Sequence, residues 1–478
     1  MQVEEFKQLI QTIDRTKSES TTLELKRAQF GASEKIYDTL SAFANTKGGI
    51  IVYGIDEVNN CAHVGVYDVN DLQRKVSDQC LQMQPEVHAI FTPLDYEGKK
   101  FLAVEVPECD QNLKPCFYKG KGRLTGSYLR IGDQDVQMNE YEIYNFEAFK
   151  NKTCDELRII AAAAGKPIET VKLQEYLLKI KMNRPNLENV ADDAILELNG
   201  LTKNGQPSLL NVLMFSLYPQ AILPNLSIIA VVVPGTEIGD NEDGVRFIAN
   251  KRIEGTLTEM IDGAIDFAAK NMSVKTVINP QTGKRSDIPE YPIVALREAI
   301  LNAVIHRDYS AYTENQPITI YFFKDRVEIT NPGGLYGRLS VEDLGNTMPD
   351  TRNPNIAKIM ELYNYTENRY SGIPTIKSKL KNAGLPEPVF ENYKGTFKVT
   401  FYNSKKKMSL KPDEIPAFIL KFCKTPRSIA EIMAEIDIKT AKYLKTEYLQ
   451  PLINNGSIAE TIPDKPKSKY QKYVTKLD

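Results

Sequence analysis

The chain has 478 residues, 42% of them hydrophobic and 26% charged, which corresponds to about three or four domains at roughly 100–200 residues each. Its net charge of −2, from 60 Lys and Arg against 62 Asp and Glu, excludes a protein that holds nucleic acid by bulk charge, so any basic surface is local. Six cysteines without a CxxC pair, and only three histidines (His63, His88 and His306), exclude a structural zinc site and fit a reducing cytoplasm. The segment MQVEEFKQLIQTIDRTKSES has mixed charge and helical period, unlike a signal peptide. No apolar run approaches the ~20 residues of a membrane helix. The expectation is a soluble, cytoplasmic, multidomain α+β protein with no membrane partner.

In residues 1–150 strands and helices alternate. A short N-terminal helix precedes the strand TTLELKRA. ASEKIYDTLSAFANTKGG reads as a helix, with Ile36, Leu40 and Phe43 at helical spacing and Gly48-Gly49 as its stop. IIVYGID is a buried strand, KKFLAVEVPE and GSYLRIG are two more, and MNEYEIYNFEAF is a closing helix. Residues 151–290 form a connecting α/β region: helices in TVKLQEYLLKIKM and ADDAILELNGLTKNGQPSLLNVLMFSLYP, strands in LSIIAVVVPG and VRFIANKRIEG, then the helix LTEMIDGAIDFAAKNM. INPQTGKRSDIPEYP reads as a polar loop.

Residues 291–403 open with the helix LREAILNAVIHRDYS, followed by the strands PITIYFFKD and RVEITNPGG, the helical runs NPNIAKIMELYNY and GIPTIKSKLKNAGL, and the strand GTFKVTFYN. Residues 404–478 contain three helices and two short strands around a basic loop, the order of a winged helix-turn-helix. From Lys405 onward 15 Lys and Arg face 9 Asp and Glu, a local charge of +6. KTAKYLKTEYLQPL is the candidate recognition helix, with Lys439, Lys442 and Lys445 available to phosphates or a groove. A winged helix docks proteins as readily, so both partners stay open for this tail.

The opening helix carries Glu298, Asn302 and His306 four residues apart on one stripe of an otherwise apolar surface. An asparagine carbonyl is a hard oxygen ligand for Mg²⁺. A glutamate one turn away can orient or deprotonate a water beside a γ-phosphate. Downstream, EITNPGGLYG ends a strand in two glycines that let backbone approach a flat base or a phosphate. RNPNIAKI and RYSGIPTI each set a polar or small residue before a helix start, where free N–H groups hold anions. His306 caps the helix or steadies the pocket, and its spacing implies no catalytic role. HRD at 306–308 mimics a protein-kinase catalytic loop, but Thr313 stands where the loop asparagine belongs and no DFG follows. No GxxxxGK[ST] motif is present either.

Taken in order, ALREAILNAVIHRDY, ITNPGGL, TRNPNIAKIM, SGIPTI and GLPEPVFE, spanning 295–403, resemble the ATPase superfamily of gyrases, histidine kinases and heat-shock chaperones. The likeness is to its branch related to the C-terminus of an ATP-dependent DNA helicase, RecG. It implies a Bergerat-type α/β sandwich binding ATP with Mg²⁺. In it Asn302 binds the metal, Glu298 is the candidate base, Gly333 and Gly334 line the base pocket, and Gly372 lies at the phosphate end. Asn331 stands where most of the superfamily has an aspartate that reads the adenine amino group. Tyr370 stands where a further glycine is expected.

SESTTLELKRA, AFANTKGGIIVYGID and GSYLRIGDQDVQMNEYEI, over roughly 15–145, resemble the Schlafen-type AlbA-like domain, which implies nucleic-acid binding. In nuclease members two glutamates and a later aspartate hold a divalent metal, and Glu19, Glu24 and Asp56 match that order. Converging carboxylates would bind Mg²⁺ or Mn²⁺ and polarise a phosphodiester, with Lys26 adding charge stabilisation. KGKGRLTGSYLR offers Lys119, Lys121, Arg123 and Arg130 interleaved with Tyr118 and Tyr128, the mixture that phosphate contact and base stacking need. The functional expectation is an ATP- and nucleic-acid-binding homo-oligomer acting as a transcriptional regulator. The rival is an ATP-gated, metal-dependent nuclease cutting tRNA or other structured RNA in defence, and a third reading is a scaffold without catalysis.

Overall fold

A computed structural model of the chain describes residues 1–31, 35–239, 244–278, 283, 285–366, 371–404, 411–412, 414–436, 438, 440–463, 468 and 471–476. Tyr370 and Lys439 lie outside the described residues, as does most of the basic loop expected between the last two strands. The architecture is mixed α/β with several cores. Among the described residues no helix is long and apolar enough to cross a membrane.

At the N-terminal end, Leu23–Lys26 pairs in parallel with Gly49–Tyr53, which pairs antiparallel with Lys99–Val106, which in turn pairs antiparallel with Ile90–Tyr96. Alternate residues of a strand point to opposite faces, and each face of this sheet has its own core. Ile51 and Tyr53 pack with Leu40 and Phe43 of the helix Tyr37–Asn45, whereas Val52 packs with Phe6, Ile10 and Ile13 of the helix Val3–Thr16. The apolar run IIVY is apolar throughout because it is buried on both sides. Gly48 ends the helix segment at φ +70, and a Cβ there would lie 2.7 Å from the Val106 carbonyl oxygen. The expected strand Tyr128–Ile131 stands apart from the main sheet, paired with Gln134–Gln137. The closing helix Glu140–Lys150 starts with a reciprocal capping box between Asn139 and Glu142.

The larger sheet has six strands, in the order Ala249–Ile253, Ile228–Val232, Ile318–Phe322, Arg326–Pro332, Thr396–Tyr402 and Val389–Tyr393. Only the Ile228–Val232 and Ile318–Phe322 pair is parallel. A parallel pair needs a crossover, which here contains the helices Leu257–Asn271 and Ile293–Ile305. These and the helix Gly372–Asn382 bury Ile261, Leu296, Ile300, Ile376 and Leu380 with Ile320, Ile329 and Val399 of the sheet. The boundary expected at 290 therefore falls inside one core: the 151–290 region supplies two of the six strands, and buried contacts run from Ile160 to Phe401. The segment read as a polar loop is instead largely a hairpin, Val274–Ile278 against Arg285–Pro289, with all its strand residues exposed.

The C-terminal segment has its own core around Ile419, Ile432, Leu444, Leu449 and Tyr473. Helices Ile415–Phe422 and Ile429–Glu435 precede a continuous helical stretch from Ala441 to Asn454, and Ile458–Glu460 pairs antiparallel with Tyr473–Thr475.

Candidate functional site

The opening helix Ile293–Ile305 buries Leu296, Ala299, Ile300, Leu301, Ala303 and Val304. Its polar stripe is half-buried and lines a cavity of about 480 Å³. The stripe faces a cleft, not open solvent. Across the cleft, Gly372 begins the helix Gly372–Asn382. A Cβ at Gly372 would lie 3.0 Å from Asn302 Nδ2, 3.3 Å from Glu298 Oε2 and 3.4 Å from Asn302 Oδ1. The free N–H groups of a helix start are thus within reach of the same small volume as the Glu298 carboxylate and the Asn302 amide. Arg297 bridges the rim: its guanidinium lies 3.4 Å from Glu298 Oε1 and donates to the Tyr365 carbonyl at 2.9 Å.

Asn331, at the end of the strand Arg326–Pro332, is 4% exposed and lines the cavity together with Gly334. Gly333, expected beside them, does not line it. At φ +95 it packs on the 308 turn, where a Cβ would meet Asp308 Cβ at 2.5 Å, and its N–H donates to the Gly395 carbonyl at 2.8 Å. His306 ends the opening helix, its N–H donating to the Asn302 carbonyl at 2.9 Å. Desolvation, and then the nearby Arg352 charge, push its imidazole down to about 4, so it is neutral at physiological pH.

One cluster beside the cavity was not read from the sequence. Asp308 is fully buried; its Oδ2 accepts from the Tyr141 hydroxyl at 2.6 Å and ion-pairs with Arg352 at 2.8 Å. Arg352 also donates to Asn145 Oδ1 at 3.1 Å, and its guanidinium lies 4.8 Å from the centre of the Tyr336 ring. Asn353 holds the carbonyls of Ile305 and Arg307 at 2.8 and 2.7 Å. Phe149 meets Tyr336, a cavity residue, edge-on at 5.4 Å. Helix Glu140–Lys150, which closes the N-terminal domain, is therefore bonded to the wall of the central cavity. The available signal was the TRN of TRNPNIAKI, whose polar residues precede a helix they do not cap through side chains.

The N-terminal carboxylates are arranged around an arginine. Arg130 is 4% exposed, lies 2.8 Å from Glu24 Oε2, 2.8 Å from Asp135 Oδ1 and 3.8 Å from Glu19 Oε2, and sits over the Phe43 ring at 5.1 Å. It was expected among the nucleic-acid-facing cations; burial and three carboxylate neighbours make it an internal counter-ion instead. Glu24 is also paired with Lys26, and Asp56 with Arg27 at 3.5 Å. Glu19 accepts the Leu25 N–H at 2.6 Å, and its carboxyl is raised to about 7, first by desolvation and then by the Glu24 and Glu57 charges. No group of three or more metal-ligating side chains forms among the described residues. Because Arg130 and Lys26 already neutralise Glu24, the expected three-carboxylate metal site does not fit this arrangement.

Lys119, Lys121 and Arg123 keep 43–49% of their side chains exposed, each beside an acid: Glu86, Asp38 and Glu147 respectively. Lys121 also lies over the Tyr128 ring at 5.3 Å, and Tyr37 stacks on Tyr118 at 3.7 Å. In the C-terminal segment Lys442 is exposed, while Lys445 is half-buried and lies 3.9 Å from Glu460.

Comparison with known proteins places families on these parts. Residues 19–139 match the family described as "Schlafen, AlbA_2". Residues 315–401 match "Putative ATP-dependent DNA helicase recG C-terminal", a match that begins after the opening helix. Residues 415–475 match "Filamentation induced by cAMP protein Fic-like, C-terminal domain", a likeness not read from the sequence. No curated protein matches the chain. Among solved structures, the DIP2311 protein from Corynebacterium diphtheriae is 16% identical, with 90% of this chain and 87% of that one covered and a TM-score of 0.40. The N-terminal domain of a "Putative ATP-dependent DNA Helicase RecG-related Protein" from Nitrosomonas europaea is 28% identical, with 27% of this chain and 91% of that one covered and a TM-score of 0.23. In order along the polypeptide, the chain has segments that match the Schlafen AlbA_2, RecG C-terminal and Fic-like C-terminal family models.

Proposed function

We propose that the chain binds ATP in the central cavity and nucleic acid through its N-terminal domain, and that it acts as a nucleotide-dependent transcriptional regulator. The observation that carries the nucleotide reading is the convergence of Glu298, Asn302 and the start of helix Gly372–Asn382 on one cavity of about 480 Å³. That volume lies in the range of about 300–1,000 Å³ typical of small-molecule sites. The Asn302 carbonyl oxygen and the Glu298 carboxylate are oxygen donors of the type that Mg²⁺ prefers, so these residues fit a nucleotide-bound magnesium ion. Such an ion would offset phosphate charge. The free N–H groups at Gly372 would receive phosphate oxygens, Asn331 would accept from a base amino group, and Glu298 would orient a water.

Nucleic-acid binding rests on the AlbA_2 match and on the exposed Lys119, Lys121 and Arg123, of which Lys121 lies over the Tyr128 ring. We read the C-terminal segment as a winged helix, with Lys442 as its most accessible candidate contact, and the active assembly as a homo-oligomer. The nuclease reading finds no support in a carboxylate cluster already neutralised by Arg130 and Lys26. The test is thermal denaturation with and without Mg-ATP. Stabilisation in the wild type that Asn302→Ala removes is the expected result, and no shift in the wild type would sink the proposal.

A further inference from the structure

A second cavity, of about 300 Å³, opens where helix Thr170–Asn183 packs beside helix Pro354–Leu362. Its lining is polar: Asn183, Arg184, Asn199 and Lys358 surround Tyr176. Tyr176 is 1% exposed, its ring meets Phe215 at 5.3 Å, and among the described residues its hydroxyl has no hydrogen-bond partner. That hydroxyl is available to donate to a group in the cavity. Burial raises the Tyr176 phenol and the Arg184 charge opposes that rise, so the two groups feel one another. Arg184 is fixed by Asn199, whose Oδ1 accepts from it at 3.3 Å. The Lys358 ammonium is exposed and forms no ion pair among the described residues. Two cations, Arg184 and Lys358, face one carboxylate, Glu361, in the lining, a formal net charge of +1.

We propose that this cavity is a second ligand site, for a small molecule bearing an oxyanion, with Arg184 and Lys358 neutralising the anion and the Tyr176 hydroxyl donating to it. Guanidinium and ammonium groups with a phenol donor suit phosphate or carboxylate oxygens. The site reaches the central cavity through one turn. Asn364, at φ +60, lines both cavities, and the carbonyl of the next residue, Tyr365, accepts from Arg297, which lies beside Glu298. This coupling rests on the nucleotide reading; the anion site does not.

The test is calorimetric titration of the full chain with inorganic phosphate and, separately, with acetate. Wild type is compared with Lys358→Ala, Tyr176→Phe and, as a control for the central cavity, Asn302→Ala. The expected result is saturable binding with Kd on the order of 1 mM, kept in Asn302→Ala. Lys358→Ala, an exposed position that tolerates truncation, weakens it about tenfold, and Tyr176→Phe weakens it about fivefold. Saturation by phosphate identifies a phosphate ester as the ligand type, and saturation by acetate a carboxylate. Absence of saturable binding with both probes, or binding that Lys358→Ala and Tyr176→Phe leave at the wild-type value, overturns the site. Loss of Mg-ATP binding in the wild type with phosphate binding intact removes the coupling alone.

Discussion

The Tyr141 hydroxyl donates to Asp308 Oδ2 at 2.6 Å, although 167 residues of chain separate the two. This bond joins the closing helix of the N-terminal domain to the turn that follows the opening helix of the central one. Arg352 completes the junction by pairing with the same carboxylate at 2.8 Å. Removing one partner of a buried ion pair leaves the other charge uncompensated, at a cost of about 3–5 kcal/mol. Arg352→Met is therefore expected to lower stability by that amount. Tyr141→Phe, which deletes one hydrogen bond to a charged acceptor and leaves the ion pair, costs about 1.5–3 kcal/mol. Urea denaturation of the two variants and their double mutant measures both; equal costs would show that the ion pair is not the main tie.

The space at Gly372 is limited by its neighbours, not by its backbone angle. An alanine Cβ would stand 3.0 Å from Asn302 Nδ2 and 3.3 Å from Glu298 Oε2. Gly372→Ala should fold as the wild type does, since alanine is favoured over glycine in a helix by about 1 kcal/mol. Its Mg-ATP affinity should fall about tenfold, or about 1.4 kcal/mol, because the methyl group intrudes where phosphate oxygens are proposed. Circular dichroism and nucleotide titration separate the two effects.

His306 supplies an acid-sensitive component of stability. Its folded-state value of about 4 lies below the ordinary imidazole value of 6.5. The unfolded state therefore binds more protons between these values, and stability falls as pH drops through that window. A loss on the order of 1–3 kcal/mol is expected between pH 7 and pH 4. His306→Gln should flatten that part of the pH–stability curve; an unchanged acid slope in the variant would refute the assignment.

Glu19 acts in the opposite pH direction. Its carboxyl is raised to about 7, so the folded state holds the proton more tightly and stability declines as pH rises from about 4.5 to 7. Glu19→Gln keeps an oxygen for the Leu25 N–H and removes the buried charge. The variant should be more stable than wild type at pH 8 by about 1–3 kcal/mol and equal to it near pH 4. Thermal melts at the two pH values check this.

The buried guanidinium of Arg130 pairs with both Glu24 and Asp135, and Lys26 offers a second cation to Glu24. Arg130→Met should cost about 3–5 kcal/mol. Its effect on nucleic-acid affinity should be smaller than that of Lys121→Ala once the variant is folded, because Lys121 is 43% exposed and Arg130 is not. Filter-binding at fixed salt, on folded fractions, distinguishes the two.

Periodicity alone placed Glu298, Asn302 and His306 on one stripe, because residues four apart on a helix share a face whatever surrounds them. Strand and helix identities in IIVYGID, SIIAVVV and IVALREAILNAVI were legible for the same local reason. Asp308 and Arg352 were visible only as parts of HRD and TRN, since an ion pair between distant segments leaves no periodic trace. Arg130 looked like a surface cation because a basic run carries no mark of which member turns inward. The hairpin at 274–289 was hidden by its polar, proline-containing composition, which is also that of a loop.

The local chemistry of the chain was thus determined by sequence: which helix carries an oxygen-donor stripe, where strands alternate, and where local positive charge accumulates. Tertiary structure decided what that chemistry faces. It set Gly372 over the stripe, turned Gly333 onto Asp308, drew Arg130 in among carboxylates and carried the 151–290 region into the six-stranded sheet. The physical reason is that burial and long-range pairing are properties of the closed chain. A charge is buried only where distant segments bring it a counter-charge, and a cavity exists only where they fail to meet.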